Sequence, residues 1–225
     1  MLTSHEGESR STDSSEKEKL RHRGRQRSSV AEAAILKATL YLLERKPLRQ
    51  VSADAIARRA GVSKATIYKW WPNKSMVALD AFLVSMAEHV PMPDTGSARQ
   101  DFTKQLQSVV EFYSSPQGRL FSQFIAEGQS DPAFLAQFRD RFLYIRRDAG
   151  RAMWRRGVAR GEIRGDIDSE IVLDLVYGPM VFRLLAGHGS LGEQEASTMI
   201  AVIFEGLQQE NNGLGQNGIA KKHAS

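Results

Sequence analysis

Two copies of one helix-start signal, close together in the chain, constrain its fold more than any other feature. In the segment VSADAIARRAGVSKATIYKWWPNK, Val51 to Lys74, Ser52 precedes an apolar-periodic run, with Val51 before it and Ile56 four positions on; Ser63, with Val62 and Ile67, repeats the arrangement. A serine in this place accepts hydrogen bonds from the N–H groups that a helix's first turn leaves unused, and the flanking apolar pair fixes the angle of entry. Gly61, between the copies, takes a left-handed conformation at low cost, so the chain can turn sharply there. Ala57 is small enough for two helices to approach closely, and Ile56 and Ile67 can fill the space between them. Two short capped helices, expected over 53–60 and 64–71 and joined by a glycine turn, make a helix-turn-helix.

This geometry points one face of the second helix outward. The face carries Lys64, Ala65, Thr66, Tyr68 and Lys69, which are small, polar or cationic. Lys64 and Thr66 can reach base edges in a major groove. Tyr68, Lys69 and Lys74 suit phosphate, Lys74 lying in the first turn of a further helix where N–H groups also favour anions. The same pattern also suits an ordinary helical hairpin. Charge points to nucleic acid but leaves a solvated basic face as the alternative. Residues 1–76 hold 16 Lys+Arg against 8 Asp+Glu, a net +8, and residues 77–225 hold 15 against 18, a net −3.

Elsewhere the apolar period is helical almost throughout: about 28–45, 74–89, 97–114, 116–128, 132–157, 169–186 and 193–209, with no strand pattern and no internal repeat. The expected fold is all-α, with about nine helices. Residues 1–27 are Ser-, Glu-, Lys- and Arg-rich and are expected to be a disordered basic arm. Residues 28–90 form the helix-turn-helix head with a linking fourth helix, and 91–209 a second helical domain after the break PMPDTGS. A flexible tail is expected over 210–225. At 225 residues and 41% hydrophobic the chain can bury a sizeable core. It has no cysteine, which excludes disulfides, thiolate metal sites and cysteine nucleophiles. No apolar run reaches the ~18–20 residues of a membrane helix, and the N-terminus lacks the apolar core of a secretory signal. The expectation is a soluble cytoplasmic protein with no membrane partner.

Val51 to Lys74 resembles the DNA-binding domain of the tetracycline-repressor (TetR) family of bacterial regulators. Ala60, Gly61, Val62, Ser63, Ala65, Tyr68, Trp70, Trp71, Asn73 and Lys74 carry the resemblance, which covers about residues 28–90. The segment GPMVFRLLAGHGSL (Gly178 to Leu191) resembles a stretch of a branch of that family with a Trp-Trp-Pro turn. The resemblance implies a homodimeric, ligand-responsive transcriptional regulator, a repressor released from a palindromic operator in double-stranded DNA. It implies that Ser52 caps helix two beside phosphate, and that Ser63, Lys64, Ala65, Thr66 and Lys69 belong to the recognition helix or its cap. Tyr68 and Lys74 match positions that grip the DNA backbone, Trp70 a variable position facing DNA, and Trp71 a buried aromatic. Pro72 departs from the pattern and stiffens the turn into helix four. The basic arm, Arg25 and Arg27 included, suits a neighbouring minor groove, with a merely solubilising tail as the alternative.

In the family the C-terminal domain binds a small molecule and builds the dimer. Phe112, Tyr113, Phe121, Phe124 and Phe138 are candidates to line an apolar pocket, with Tyr144, Trp154, Tyr177 and Met180. Such a set suits a small apolar or amphipathic effector, although each residue singly also suits plain core. The last two helices are apolar all round, which calls for cover from another chain. Val172, Val176, Phe182, Met199, Val202 and Ile203 are the dimer candidates, some of which must serve the intrachain core. The arginine-rich run Arg139 to Arg160 reads as a solvent face balanced by Asp140 and Asp148. The five histidines are scattered, and there is no phosphate loop and no GxSxG, so neither a metal, a cofactor nor a catalytic constellation is expected.

Overall fold

The computed structural model describes residues 29–207. The basic arm, Arg25 and Arg27 included, and the tail from residue 208 lie outside the described residues. Those described form nine α-helices and no strand, in agreement with the all-α expectation.

Helix α1 spans 29–43, and a single 3-10 turn, Leu48–Gln50, follows Pro47. Then come α2 (Ala53–Ala60), α3 (Lys64–Tyr68), α4 (Lys74–His89), α5 (Ala98–Ser114) and α6 (Leu120–Ser130). Helix α7 is one continuous rod in three parts: α-helical over Pro132–Phe138, widened to a π-turn at Arg139–Leu143, and α-helical again over Tyr144–Ala159. Helices α8 (Ser169–Ala186) and α9 (Glu193–Leu207) close the described chain. None of these helices is long and apolar enough to cross a membrane.

The chain packs as two compact units. Among the described residues the first holds 29–91 together with Ser108–Ile145, and the second holds Met92–Gln107 and 146–207. Residues 108–145 thus pack in the same unit as the head. The reason is aromatic packing. Phe82 of α4 meets the rings of Phe112, Phe124 and Phe142 at centroid separations of 5.6, 5.4 and 5.5 Å.

In the second unit Phe102 packs on Phe204 at 5.9 Å, and Leu106, Trp154, Val172, Leu173, Val176 and Ile200 are also buried. The arginine run does not simply face solvent beside Asp140. Arg147 donates to Glu170 and Asp174, both 2.6 Å away, and Arg151 to Glu170 at 2.6 Å and to Asp148. These guanidinium groups hold the Glu170 carboxyl below its ordinary range, Arg151 contributing most. Asp168 caps α8 by accepting the Glu170 N–H at 2.9 Å.

Helix α6 begins at Leu120, not at 116, because the chain turns tightly after α5. Ser115 N–H donates to the Phe112 carbonyl, and Gly118 N–H to Ser115 Oγ, both at 3.0 Å. A Cβ on Gly118 would stand 1.9 Å from the Phe112 carbonyl oxygen, so only glycine fits. Gly118→Ala is expected to cost about 2–3 kcal/mol, lowering Tm by roughly 5–10 °C in thermal unfolding. An unchanged Tm would contradict this packing.

Candidate nucleic-acid interface

Both helix-start signals work as caps. Ser52 Oγ accepts the Ala55 N–H at 3.2 Å, and Ser63 Oγ accepts the Thr66 N–H at 3.1 Å. Between them Gly61 lies in the left-handed region (φ 68°), and the Val62 N–H reaches back to the Ala57 carbonyl at 3.1 Å. Ile56 and Ile67 are 1% and 0% exposed, with Val51 and Ala57 buried beside them. Helix α3 ends at Tyr68, three residues before the expected end at 71. Proline at position 72 disfavours the helical conformation for the residue before it, and the N–H groups of Trp70 and Trp71 both turn to the Ile67 carbonyl at 3.0 Å.

With Ile67 inside, the rest of α3 faces out. Lys64, Ala65, Tyr68 and Lys69 are exposed, and Tyr68 keeps 47% of its surface. Thr66 is half-buried, its hydroxyl 2.8 Å from that of Ser63. Trp70 is half-buried and sits edge-on to Trp71, with ring centroids 5.7 Å apart. The Lys64 ammonium donates to Asp54 of α2 at 3.0 Å, and this bond raises its pKa above the ordinary lysine value. The pair is solvent-exposed on both sides, so the ammonium can exchange the carboxylate for another acceptor.

Lys74 is placed differently from the expected phosphate contact. Its Nζ donates to the carbonyls of Leu48, Arg49 and Val51, at 3.1, 3.1 and 3.0 Å. An ammonium has three protons, and here all three meet backbone where the 3-10 turn ends. Lys74 thus braces the start of α4 against the segment entering α2. Other cations of the head also have neighbours: Arg45 and Arg59 lie over the ring of Tyr41, 3.6 and 3.0 Å from its centroid.

Several tertiary partners of this region leave no signal in local spacing. Trp71, 3% exposed, donates its indole N–H to Asp80 Oδ2 at 2.7 Å, and Asp80 Oδ1 lies 2.5 Å from Arg141 Nη2. Helix α6 and the turn before it reach the head at three points. Gln123 Oε1 accepts the Leu48 N–H at 2.7 Å, Glu127 accepts the Ser75 hydroxyl at 3.1 Å, and Gln117 donates to Glu44 at 2.7 Å. These pairs join residues 52 to 75 positions apart in sequence, beyond any periodicity argument.

The nine pocket candidates are divided between the two units. Phe112, Tyr113, Phe121, Phe124 and Phe138 are buried in the first unit and stack on one another, Tyr113 on Phe121 at 4.7 Å and Phe121 on Phe138 at 5.9 Å. Tyr144 is exposed, which removes it from the buried set. Trp154 and Met180 are buried in the second unit, where the Tyr177 hydroxyl donates to Gln105 Oε1 at 2.7 Å and burial pushes its pKa up. Of the dimer candidates, Val172 and Val176 are fully buried within the subunit and serve its own core. Met199 and Ile203 are half-buried; Phe182 and Val202 are 64% and 63% exposed.

Two family models match the chain. One, described as bacterial regulatory proteins of the tetR family, covers residues 35–80; the other, a tetracyclin repressor-like C-terminal domain, covers 92–203. The HTH-type transcriptional regulator YdeS of Bacillus subtilis (strain 168) is 38% identical over 186 residues, 83% of this chain and 94% of that protein. The DNA-binding transcriptional repressor TetR of Mycobacteroides abscessus is 29% identical over 164 residues, 72% of this chain and 85% of that one. The crystal structure of the TetR family transcription regulator SCO0332 superposes with a TM-score of 0.70 at 28% identity, covering 80% of this chain and 99% of the other.

The brace at Lys74 has a direct test. Lys74→Ala strands three carbonyls and is expected to lower Tm by a few degrees. Lys69→Ala, on the exposed face, should leave Tm within about a degree, since surface changes of this kind are nearly neutral. Equal melting of the two variants would count against the brace.

Proposed function

The chain belongs to the tetR family of bacterial regulatory proteins, and on that premise we propose that it is a cytoplasmic, homodimeric repressor that an effector releases from a palindromic operator. That it is a DNA-binding, helix-turn-helix transcriptional regulator follows from the family itself. The observation that carries the finer reading is the exposed polar face of α3, raised on a single buried side chain, Ile67.

On this reading Lys64 and Thr66 read base edges, and Ala65 lets α3 sit deep in the groove. Tyr68 and Lys69 hold phosphates, Ser52 and Ser63 present the N-terminal turns of α2 and α3 to the backbone, and Trp70 flanks them. Arg25 and Arg27 of the arm reach the adjacent minor groove. Lys74 acts through the fold and not on DNA. Two α3 helices must stand about one helical turn apart, on the order of 34–36 Å, to enter successive major grooves.

An apolar stripe supports the dimer. Ile171, Leu175, Phe182 and Leu185 are exposed at alternating four- and three-residue steps on α8 once Gly178 is counted, and Val202 is exposed on α9. A second copy of the same helix pair would cover it. A small apolar or amphipathic effector fits the buried aromatic residues; an effector that prefers one separation of the two heads would shift the dimer toward it. A second reading, control by a protein partner or no small ligand at all, is favoured by the ring-on-ring packing of Phe112, Tyr113, Phe121, Phe124 and Phe138.

Selection from random duplexes should enrich one palindromic sequence, whose gel shift survives excess competitor DNA; enrichment of no sequence would overturn the reading. Thr66→Ala should relax preference at particular positions by ~1–3 kcal/mol. Lys69→Ala should weaken all duplexes alike and flatten the plot of log K against log[salt] by about one unit. Phe182→Asp with Val202→Asp should yield a monomer in sedimentation that no longer holds the operator.

A further inference from the structure

We propose that Asp80 and Arg141 are positioning residues for DNA recognition: from the π-turn of α7, Arg141 holds the Asp80 carboxylate against the Trp71 indole and so sets where the recognition helix ends. The inference rests on the DNA-binding reading above and assigns a control point for the same site.

Helix α3 has five residues, too few to keep its own geometry in water. Its direction is therefore imposed at its two ends. The N-terminal end is tied by the Ser63 cap and the Lys64–Asp54 pair. The C-terminal end passes directly into Trp70 and Trp71, whose N–H groups share the Ile67 carbonyl. Where the Trp71 ring sits thus decides where Ile67 and Tyr68 sit.

The ring is buried with a polar atom, and a buried indole N–H needs an acceptor. Asp80, one of few acidic groups on α4, supplies it at 2.7 Å. Its other oxygen faces Arg141 at 2.5 Å. That contact is a close charge pairing and not a well-aligned hydrogen bond, so it depends on the position of the cation more than on the fork of the guanidinium.

Arg141 is placed by a rare element. A π-turn interrupts the regular ladder of a helix and recurs at functional sites, and this one lies inside an otherwise continuous rod. The next residue, Phe142, points into the aromatic cluster, 5.1 Å from Phe138, 5.5 Å from Phe82 and 5.8 Å from Phe121. One turn therefore touches the rings with one residue and the Trp71–Asp80 pair with its neighbour. A repacking of the rings that moves Phe142 must also move Arg141, and through Asp80 the end of α3. All of these residues lie within the first unit.

The test uses the full chain and the duplex it enriches from a random pool, compared with a scrambled duplex over a salt series. Arg141→Ala and Trp71→Phe should each weaken operator binding by about tenfold, and the double variant should be no weaker than either single one. Binding to the scrambled duplex and the salt slope should not move, because no phosphate contact is lost. Arg141→Lys, which keeps the charge, should restore most of the affinity. A slope reduced by about one, with both duplexes weakened alike, would make Arg141 a direct phosphate contact and overturn the proposal. So would additive losses in the double variant, or a lowered Tm with unchanged operator affinity of the folded fraction. A wild-type chain that enriches no sequence would sink the DNA-binding reading itself, whereas a wild type that binds and an Arg141→Ala that matches it sink only this inference.

Discussion

A helix of five residues does not hold itself together in water, because its first turn costs more chain entropy than its few hydrogen bonds return. Helix α3 exists because Ile67 is completely removed from solvent. The same burial fixes its rotation. With one side chain committed inward, Lys64, Ala65, Tyr68 and Lys69 have nowhere to go but out. The interface is thus a by-product of a single apolar contact, made rigid by two serine caps and one left-handed glycine. The lysine brace and the indole–carboxylate pair belong to the same unit.

The cations of the head show what local sequence can and cannot convey. An excess of basic residues before residue 77 is visible by counting, and counting supports a polyanion partner. It does not say which charges stay available. Lys74 spends its three protons on backbone carbonyls, Arg45 and Arg59 lie on Tyr41, and Lys64 leans on Asp54. Lys74 lies in the first turn of a helix, where an anion site is a reasonable expectation. Its actual partners come from a turn more than twenty residues earlier, where carbonyls converge at the end of a 3-10 turn. A long flexible cation takes the nearest dense group of acceptors, and only the folded chain says where that group is.

The aromatic residues tell a similar story. Each singly suited plain core, and most are buried. Which of them meet is a tertiary matter: Phe82, Phe112, Phe121, Phe124, Phe138 and Phe142 gather in one cluster, while Trp154, Tyr177 and Met180 belong to the other unit. That gathering carries residues 108–145 into the same unit as the head, across the composition break near residue 91. The π-turn was equally invisible beforehand. Residues 132–157 read as one helix, whereas the chain widens to a π-turn at Arg139–Leu143 with Phe142 buried.

What the bare chain conveyed was local: nine helical stretches, a tight pair of capped helices and the outward face of the second. Each follows from interactions within four or five residues, such as caps, apolar periods and glycine turns, whose partners are written next to one another. The folded arrangement alone assigned Lys74 to a brace, Val172 and Val176 to the subunit's own core, and Asp80 to a place between Trp71 and Arg141. Those outcomes depend on groups far apart in sequence competing for the same few acceptors and the same buried volume, and that competition is resolved only when the whole chain packs.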